Sequence, residues 1–172
     1  MGGIKPGTTA WDEQSLKHDK LVREAANKAF DILSDQYPKL QKQSKLSKAQ
    51  IVGGIGGGQP DGGVWVYDGK LIAAFEAKKQ NNKGNAIERW YKNCHIIKDI
   101  NHRCPLVTYA TGDGAREGNV IWKILHSAHK GQYDVIRENG PSCFLKPEGF
   151  TMEELIDNMK KFVLGEITRS NA

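Results

Sequence analysis

Apolar residues near the start of the chain recur at three- and four-residue spacings, which is the period of an amphipathic helix. The inward stripe of this pattern consists of Val22, Ala25, Ala26, Ala29, Phe30 and Leu33. We therefore predict a helix over about residues 13–36, which Pro38 ends. Residues 1–10, which are rich in glycine, are predicted to form a flexible arm.

The strongest β pattern lies in the middle of the chain. Residues 64–67 and 70–78 are rich in valine, isoleucine, phenylalanine and tryptophan, and they flank the dipeptide Asp68-Gly69. An Asp-Gly pair between two such runs predicts a β-hairpin with a two-residue turn, in which Tyr67 pairs with Lys70.

The remaining pattern alternates between helix and strand. It predicts a helix from Asn85 to about Lys98, a strand over Leu106–Ala110 and a strand over Tyr133–Arg137. The apolar segment Asn119–His126 between the two strands is ambiguous between helix and strand. A last helix is predicted to begin at a capping box formed by Thr151 and Glu154 and to end at Gly165. This order predicts an α/β fold with a mixed central β-sheet flanked by helices. At 172 residues, one compact domain spanning residues 1–172 is expected.

Composition limits the partners and the cellular compartment that are expected for the protein. Lys and Arg total 25 against 20 Asp and Glu, an excess that suits a polyanionic partner without establishing one. Three cysteines with no CxxC spacing exclude a disulfide framework and a cysteine zinc site, and they suit a reducing cytosol. The sequence has neither an apolar run of membrane-spanning length nor a secretory leader, so a cytoplasmic protein with no membrane partner is expected.

Two segments have the composition of ligand sites. The glycine-rich residues 53–58 lack the third glycine and the helix of a dinucleotide-binding loop, so they predict a flexible segment and no organic cofactor. The second segment is basic and contains Lys39, Lys42, Lys45 and Lys48. Either a solvated surface or a phosphate-contacting segment accounts for this run of lysines.

The hairpin carries the candidate chemistry. With a regular two-residue turn, Asp61 lies directly opposite Glu76, and Lys78 projects from the same face as Glu76. Two facing carboxylates repel each other and are costly to desolvate, and a divalent cation such as Mg²⁺ removes both costs. Two carboxylates and a lysine around a metal suit hydrolysis of a phosphodiester. The alternative is a surface salt bridge of Glu76 with Lys78 or Lys79.

Three motifs occur in order across this region. They are Pro60-Asp61-Gly62-Gly63, then Glu76-Ala77-Lys78-Lys79-Gln80, then Gly84-Asn85-Ala86-Ile87-Glu88-Arg89. In their order along the chain and in their residue types, these motifs resemble those of the EcoRI-like type II restriction endonucleases of the PD-(D/E)XK nuclease superfamily. The resemblance spans roughly residues 59–92 and extends weakly to the first helix and to the strand Leu106–Ala110.

The resemblance implies a fold, an activity and a set of site residues. It implies a restriction-endonuclease-like core and a homodimer that uses Mg²⁺ to cleave double-stranded DNA at a palindrome containing AATT, leaving 5′ overhangs. Asp61 and Glu76 would bind the metal, and Lys78 would be the catalytic lysine. Bases in the major groove would be contacted by Gln80, Gly84, Asn85, Ala86, Glu88 and Arg89. An asparagine amide matches adenine bidentately, although a plain helix N-cap is the alternative role for Asn85.

The chain departs from the family in ways that leave the outer bases of the target open. Only residues 81–83 separate Gln80 from Gly84, where the family has a longer insert. Weaker candidates for outer-base or phosphate contacts are Lys83, Arg116, Lys123, Lys42 and Lys45. Asp19 of the first helix is a weak candidate for an extra acid near the metal, with a buried salt bridge as the alternative.

Two other functions are open on the sequence. One is a different nuclease of the same superfamily, such as a junction resolvase or a repair nuclease, and the base-reading motif of residues 84–89 argues against it. The other is a non-catalytic DNA-binding module, and the intact set of Asp61, Glu76 and Lys78 argues against that.

Overall fold

The structure is a computed structural model that describes residues 9–44, 59–79, 85–101, 104, 106–129 and 143–171. The regular elements of these residues, in chain order, are α1 (Thr9–Ser34), β1 (Leu40–Gln43), β2 (Val64–Tyr67), β3 (Lys70–Lys78), α2 (Asn85–Ile100), β4 (Leu106–Ala110), α3 (Val120–His129), β5 (Cys143–Leu145) and α4 (Met152–Ser170). A short 3-10 helix over Asp113–Ala115 lies between β4 and α3.

The strands form one sheet in the order β1-β2-β3-β4-β5. β1, β2 and β3 pair antiparallel, whereas β4 runs parallel to β3 and β5 runs parallel to β4. A helix joins each parallel pair, α2 between β3 and β4 and α3 between β4 and β5, because a parallel connection must cross back over the sheet. The prediction of a mixed α/β sheet flanked by helices is therefore confirmed.

Two apolar clusters cover the two faces of the sheet. α1 and α4 pack on one face, around the fully buried Trp65 and Phe75. α2 and α3 pack on the other face, around the fully buried Trp90. Because β3 lies between both layers, its residues 71–77 are all buried. A charged side chain in this part of β3 must therefore find its partners inside the protein.

The hairpin at the centre of the sheet has the predicted bounds. Asp68 and Gly69 have φ of 50° and 80°, as a type I′ turn requires, and Tyr67 pairs with Lys70. The predicted helix from Asn85 and the predicted strand Leu106–Ala110 are also confirmed.

Helix boundaries differ from the prediction in three places. α1 begins at Thr9, so the last two residues of the predicted arm are helical. The ambiguous segment after the 3-10 helix is helix α3. α4 begins with the predicted capping box of Thr151 and Glu154, but it continues through Gly165 to Ser170. The last turn of α4 is stabilised by Ile167, which is 2% exposed and packs into the core.

Two strands lie where the pattern predicts none. β1 has a single buried residue, Leu40, and β5 is three residues long, so neither has enough alternation to be recognised. Residues 1–8, the glycine-rich segment 53–58 and the predicted strand over residues 133–137 lie outside the described residues. Within the described part of the chain, no helix is long and apolar enough to span a membrane.

Candidate active site

A β-bulge changes the register that a regular hairpin predicts. β2 and β3 shift register between Val66 and Trp65, where Ile72 is an extra residue of β3. Beyond the bulge every pairing moves by one position along β3. The prediction that Asp61 lies directly opposite Glu76 is therefore wrong, because that pairing requires an uninterrupted ladder.

The two carboxyl groups nevertheless meet, through bonds that involve the backbone. The N–H of Asp61 donates to Oε1 of Glu76 at 3.3 Å. In return, Oδ2 of Asp61 accepts from the N–H of Ala77 at 3.0 Å. Because Ala77 directly follows Glu76, these two bonds hold the Asp61 side chain beside the Glu76 side chain.

Two glycines allow the chain to come this close to β3. A Cβ on Gly62 would lie 2.6 Å from the Cβ of Phe75, a separation that real side chains essentially never reach. Gly63 has a φ of 78°, and a Cβ there would lie 2.7 Å from a backbone oxygen of β1. The Pro-Asp-Gly-Gly motif therefore shapes the close approach that positions the Asp61 carboxylate.

Glu76 is only 6% exposed. Burial raises the pKa of its carboxyl group well above the usual range, and the side-chain contact with Asp61 raises it further, whereas the charge of Lys78 lowers it. Its Oε2 accepts a hydrogen bond from the side-chain amide of Asn93, on α2, at 3.4 Å. Burial and the Asp61 carboxyl therefore disfavour the ionised form of Glu76, whereas added positive charge favours it.

Lys78 and Asp19 complete the charged surroundings of the pair. Lys78 is the last residue of β3, and strand alternation places it on the same side as Glu76, two residues earlier. On α1, the pKa of Asp19 is raised to about 6 by burial and then by the charge of Asp61, while Lys78 and Arg23 lower it. α1 thus brings a third acid into the electrostatic field of the carboxylate pair.

The residues present fit a divalent cation that is held partly by water and substrate. Within the residues that the structure describes, no three His, Cys, Asp or Glu side chains lie close enough together to hold an ion by themselves. Mg²⁺ is commonly bound through one or two carboxylates, several waters and substrate phosphate oxygens. Asp61 and Glu76 supply those two carboxylates, and burial, which raises the pKa of Glu76, leaves its ionised form in need of a positive partner.

Four of the six predicted base-contacting residues lie at the beginning of α2. The backbone of this helix includes Asn85, Ala86, Glu88 and Arg89, whose side chains lie outside the described set. The candidates Gln80, Lys83, Gly84 and Lys45 lie outside the described residues altogether. The roles of these eight residues stay predictions.

Lys42 and Arg116 lie on other elements. Lys42 lies on β1, where its stem packs near Gly63 and burial lowers its pKa. Arg116 follows the 3-10 helix, and its Nε donates to Oδ1 of Asp113 at 3.1 Å. Because β4 runs parallel to β3 and ends level with Lys78, the loop that carries Arg116 begins at the same sheet edge.

A cavity of about 640 Å³ lies beside α1 and the residue that follows β3. Its charged lining comprises Lys17, Lys20, Lys79, Glu24 and Glu148. The lining also includes His18, whose Nε2 donates to the carbonyl oxygen of Tyr109 at 3.0 Å. Lys20 and Glu24 form an ion pair, so the three lysines and two glutamates leave the lining with an excess of one positive charge.

Sequence reasoning did not single out Asn93. This residue lies three positions after Trp90 and four before Ile97, both of which are buried against the sheet. Residues at these spacings share one helix face. A polar residue on an inward helix face was the signal that could have identified Asn93, because such a group needs a buried partner.

Comparisons with known proteins add no family to these observations. No protein-family profile matches the chain, and searches of characterised proteins and of solved structures found no match. The resemblance of the three motifs to restriction endonucleases therefore stays a prediction, and the site rests on its own geometry.

Proposed function

We propose that this protein is a type II restriction endonuclease with a PD-(D/E)XK core, which uses Mg²⁺ to hydrolyse double-stranded DNA at a palindrome containing AATT. The observation that carries the proposal is the meeting of Asp61 with the buried Glu76, beside Lys78, at the end of the central hairpin. The burial of Glu76 argues against the alternative of a surface salt bridge. Two ionised carboxylates this close, one of them buried, are costly unless a cation joins them.

The three side chains have distinct roles in this proposal. Asp61 and Glu76 would hold the ion, and Mg²⁺ bound there would polarise the scissile phosphate and lower the pKa of a water molecule. Glu76 would give up its proton as positive charge arrives. The ammonium group of Lys78 would donate to a phosphate oxygen and stabilise the negative charge that develops in the transition state. Because Glu76 is buried, little water would screen these interactions.

Sequence recognition is assigned to the beginning of α2 and the residues just before it. A helix N-terminus is a favourable place for a negatively charged partner such as DNA. Asn85 and Ala86 would read the adenines of AATT, and Gln80, Glu88 and Arg89 would extend that readout. The net charge of +5 and the lysines around the cavity beside α1 support a polyanionic partner.

A palindromic target implies a symmetric dimer with one active site for each strand. We propose a homodimer in which α2 lies near the two-fold axis. Light scattering should give a dimer mass, and a monomer both free and bound to DNA would contradict this part of the proposal. The cysteines Cys94, Cys104 and Cys143 are buried and form no disulfide, which supports the cytoplasmic location that the proposed function requires.

Digestion of phage DNA by the purified protein with Mg²⁺, followed by sequencing of the ends, tests the function. We expect 5′ overhangs and an AATT common to all sites. Asp61→Asn should remove the activity, whereas Asp68→Asn, which alters an exposed acid of the same hairpin, should retain it. Full activity in EDTA would refute the metal dependence. Ends with no shared AATT would refute the recognition assigned to α2.

A further inference from the structure

We propose that Asn93 is a positioning residue that orients the carboxylate of Glu76 and thereby couples α2 to the reaction centre. This inference rests on the proposed function, since it concerns the same reaction. It adds a residue that touches neither the target bases nor the reacting atoms and acts through a metal-binding side chain.

The carboxylate of Glu76 needs an external orientation, because the terminal torsion of a glutamate is broad and roughly two-fold. Each of its oxygens has a neutral donor. Oε1 accepts from the backbone N–H of Asp61 at 3.3 Å, and Oε2 accepts from the side-chain amide of Asn93 at 3.4 Å. A carboxylate has about four acceptor positions, so each oxygen retains one for a cation. The two donors therefore define the carboxylate plane and leave it able to bind a metal.

α2 is fastened to the sheet at the level of Glu76. In the ladder between β3 and β4, Glu76 is paired with Thr108. The indole N–H of Trp90, one turn before Asn93, donates to Oγ1 of Thr108 at 2.9 Å, and both residues are 0% exposed. The helix and the proposed catalytic strand thus share one buried anchor, which places the Asn93 amide next to Glu76.

The same helix begins with the residues that are proposed to read the bases. Asn93 lies two turns, or about 12 Å, from Asn85 along the helix axis. A helix transmits displacement along its axis because its backbone hydrogen bonds make it stiff. A shift of the α2 N-terminus on correct DNA would therefore change the contact between Asn93 and Oε2 of Glu76.

The test compares Asn93→Leu, which keeps the branched shape of the side chain but removes the donor, with Asn93→Gln, which keeps a donor. Asn101→Leu is the matched control, because the Asn101 amide donates to the carbonyl oxygen of Leu71 at 2.7 Å, just beyond the C-terminal end of α2. Two readouts are needed. One is kcat and KM for cleavage of an AATT duplex, and the other is Mn²⁺ binding without DNA, followed by electron paramagnetic resonance.

For Asn93→Leu we expect kcat and Mn²⁺ affinity each to fall about 10- to 100-fold, as loss of a residue that orients a metal ligand usually causes. KM should change little, and Asn93→Gln should recover part of the loss. Asn101→Leu should lower thermal stability while leaving kcat and Mn²⁺ affinity close to those of the wild type.

The outcomes separate this inference from the proposed function. If the wild type cleaves DNA but Asn93→Leu binds Mn²⁺ and turns over like Asn101→Leu, Asn93 has no positioning role and only this inference fails. If the wild type neither cleaves DNA nor binds Mn²⁺, the proposed function fails and this inference fails with it.

Discussion

The backbone N–H of Asp61 donates to Oε1 of Glu76, so the main chain of one proposed metal ligand holds the side chain of the other. The contact survives a register that differs from the regular one, because it runs from backbone to side chain and not across a ladder pair. The proximity of the two carboxyl groups therefore depends on the close approach of the Pro-Asp-Gly-Gly motif to β3.

Removing any of the three central charges should abolish cleavage. Asp61→Asn, Glu76→Gln and Lys78→Ala should each lower kcat by about 10³-fold or more, because metal-centred charge stabilisation is worth several kcal/mol. Binding of an AATT duplex in Ca²⁺, measured by fluorescence anisotropy, should persist for Lys78→Ala. Lys70→Ala is the matched control at the exposed start of the same strand, and it should cleave like the wild type. Activity retained in Lys78→Ala would remove that lysine from the mechanism.

The raised pKa of Glu76 predicts how stability depends on pH. The unfolded chain releases this proton near the usual pKa of about 4.3, whereas the folded protein keeps it to higher pH. Above that usual value the folded state binds more protons than the unfolded state, so the contribution of Glu76 to stability falls as pH rises. In EDTA at pH 8, Glu76→Gln should therefore melt several degrees above the wild type, since 1 kcal/mol corresponds to about 2–4 °C at this size.

The gain from Glu76→Gln should shrink as the pH is lowered through about 4.3, because the wild-type carboxyl then becomes protonated in the unfolded state as well as in the folded state. Mg²⁺ should raise the wild-type melting temperature more at pH 8 than at pH 6. Binding of the ion would displace the Glu76 proton, and this displacement is easier at the higher pH. Scanning calorimetry at several pH values measures both effects. A Glu76→Gln protein that is less stable than the wild type at pH 8 in EDTA would contradict the burial argument.

Gly62→Ala should impair cleavage more than folding. The added methyl group lies 2.6 Å from the Cβ of Phe75, so the chain must move away from β3 and take the Asp61 carboxylate with it. Overpacking of this kind costs about 1–3 kcal/mol, which a melting curve detects, and kcat should fall more than tenfold at a temperature where the variant stays folded. Gly165→Ala is the control, because nothing lies within 4 Å of its Cβ position. That variant should be slightly more stable and fully active.

Base readout and phosphate contact should differ in their sequence and salt dependence. Asn85→Ala should cost about 1–3 kcal/mol at an adenine of AATT, the usual worth of a bidentate base contact. Lys42→Ala, if it removes a phosphate contact, should weaken binding to all sequences alike and flatten the dependence on salt. Methylation of the adenine N6 should also protect the site. Competition binding in Ca²⁺ at several salt concentrations measures both effects. If Asn85→Ala weakened binding to every sequence equally, the assignment of Asn85 to base readout would be wrong.

The sequence by itself determined the elements whose stabilising interactions are local. The Asp-Gly turn specifies β2 and β3 because a type I′ turn requires positive φ at both of its central residues. The capping box of Thr151 and Glu154 specifies the start of α4 because its two hydrogen bonds join residues three apart. The order of strands and helices was likewise sufficient to predict a mixed sheet covered on both faces.

Tertiary structure decided the features that need a distant partner. β1 is a strand because its backbone pairs with that of β2. α4 continues past Gly165 because Ile167 packs into the core. The extra residue Ile72 shifts the register by one, yet a backbone donor and the closely packed Gly62 still bring Asp61 to Glu76. No local pattern encodes the contact of Asn93 with Glu76, because it forms only when α2 docks on the sheet and the half-buried amide meets the buried carboxyl group.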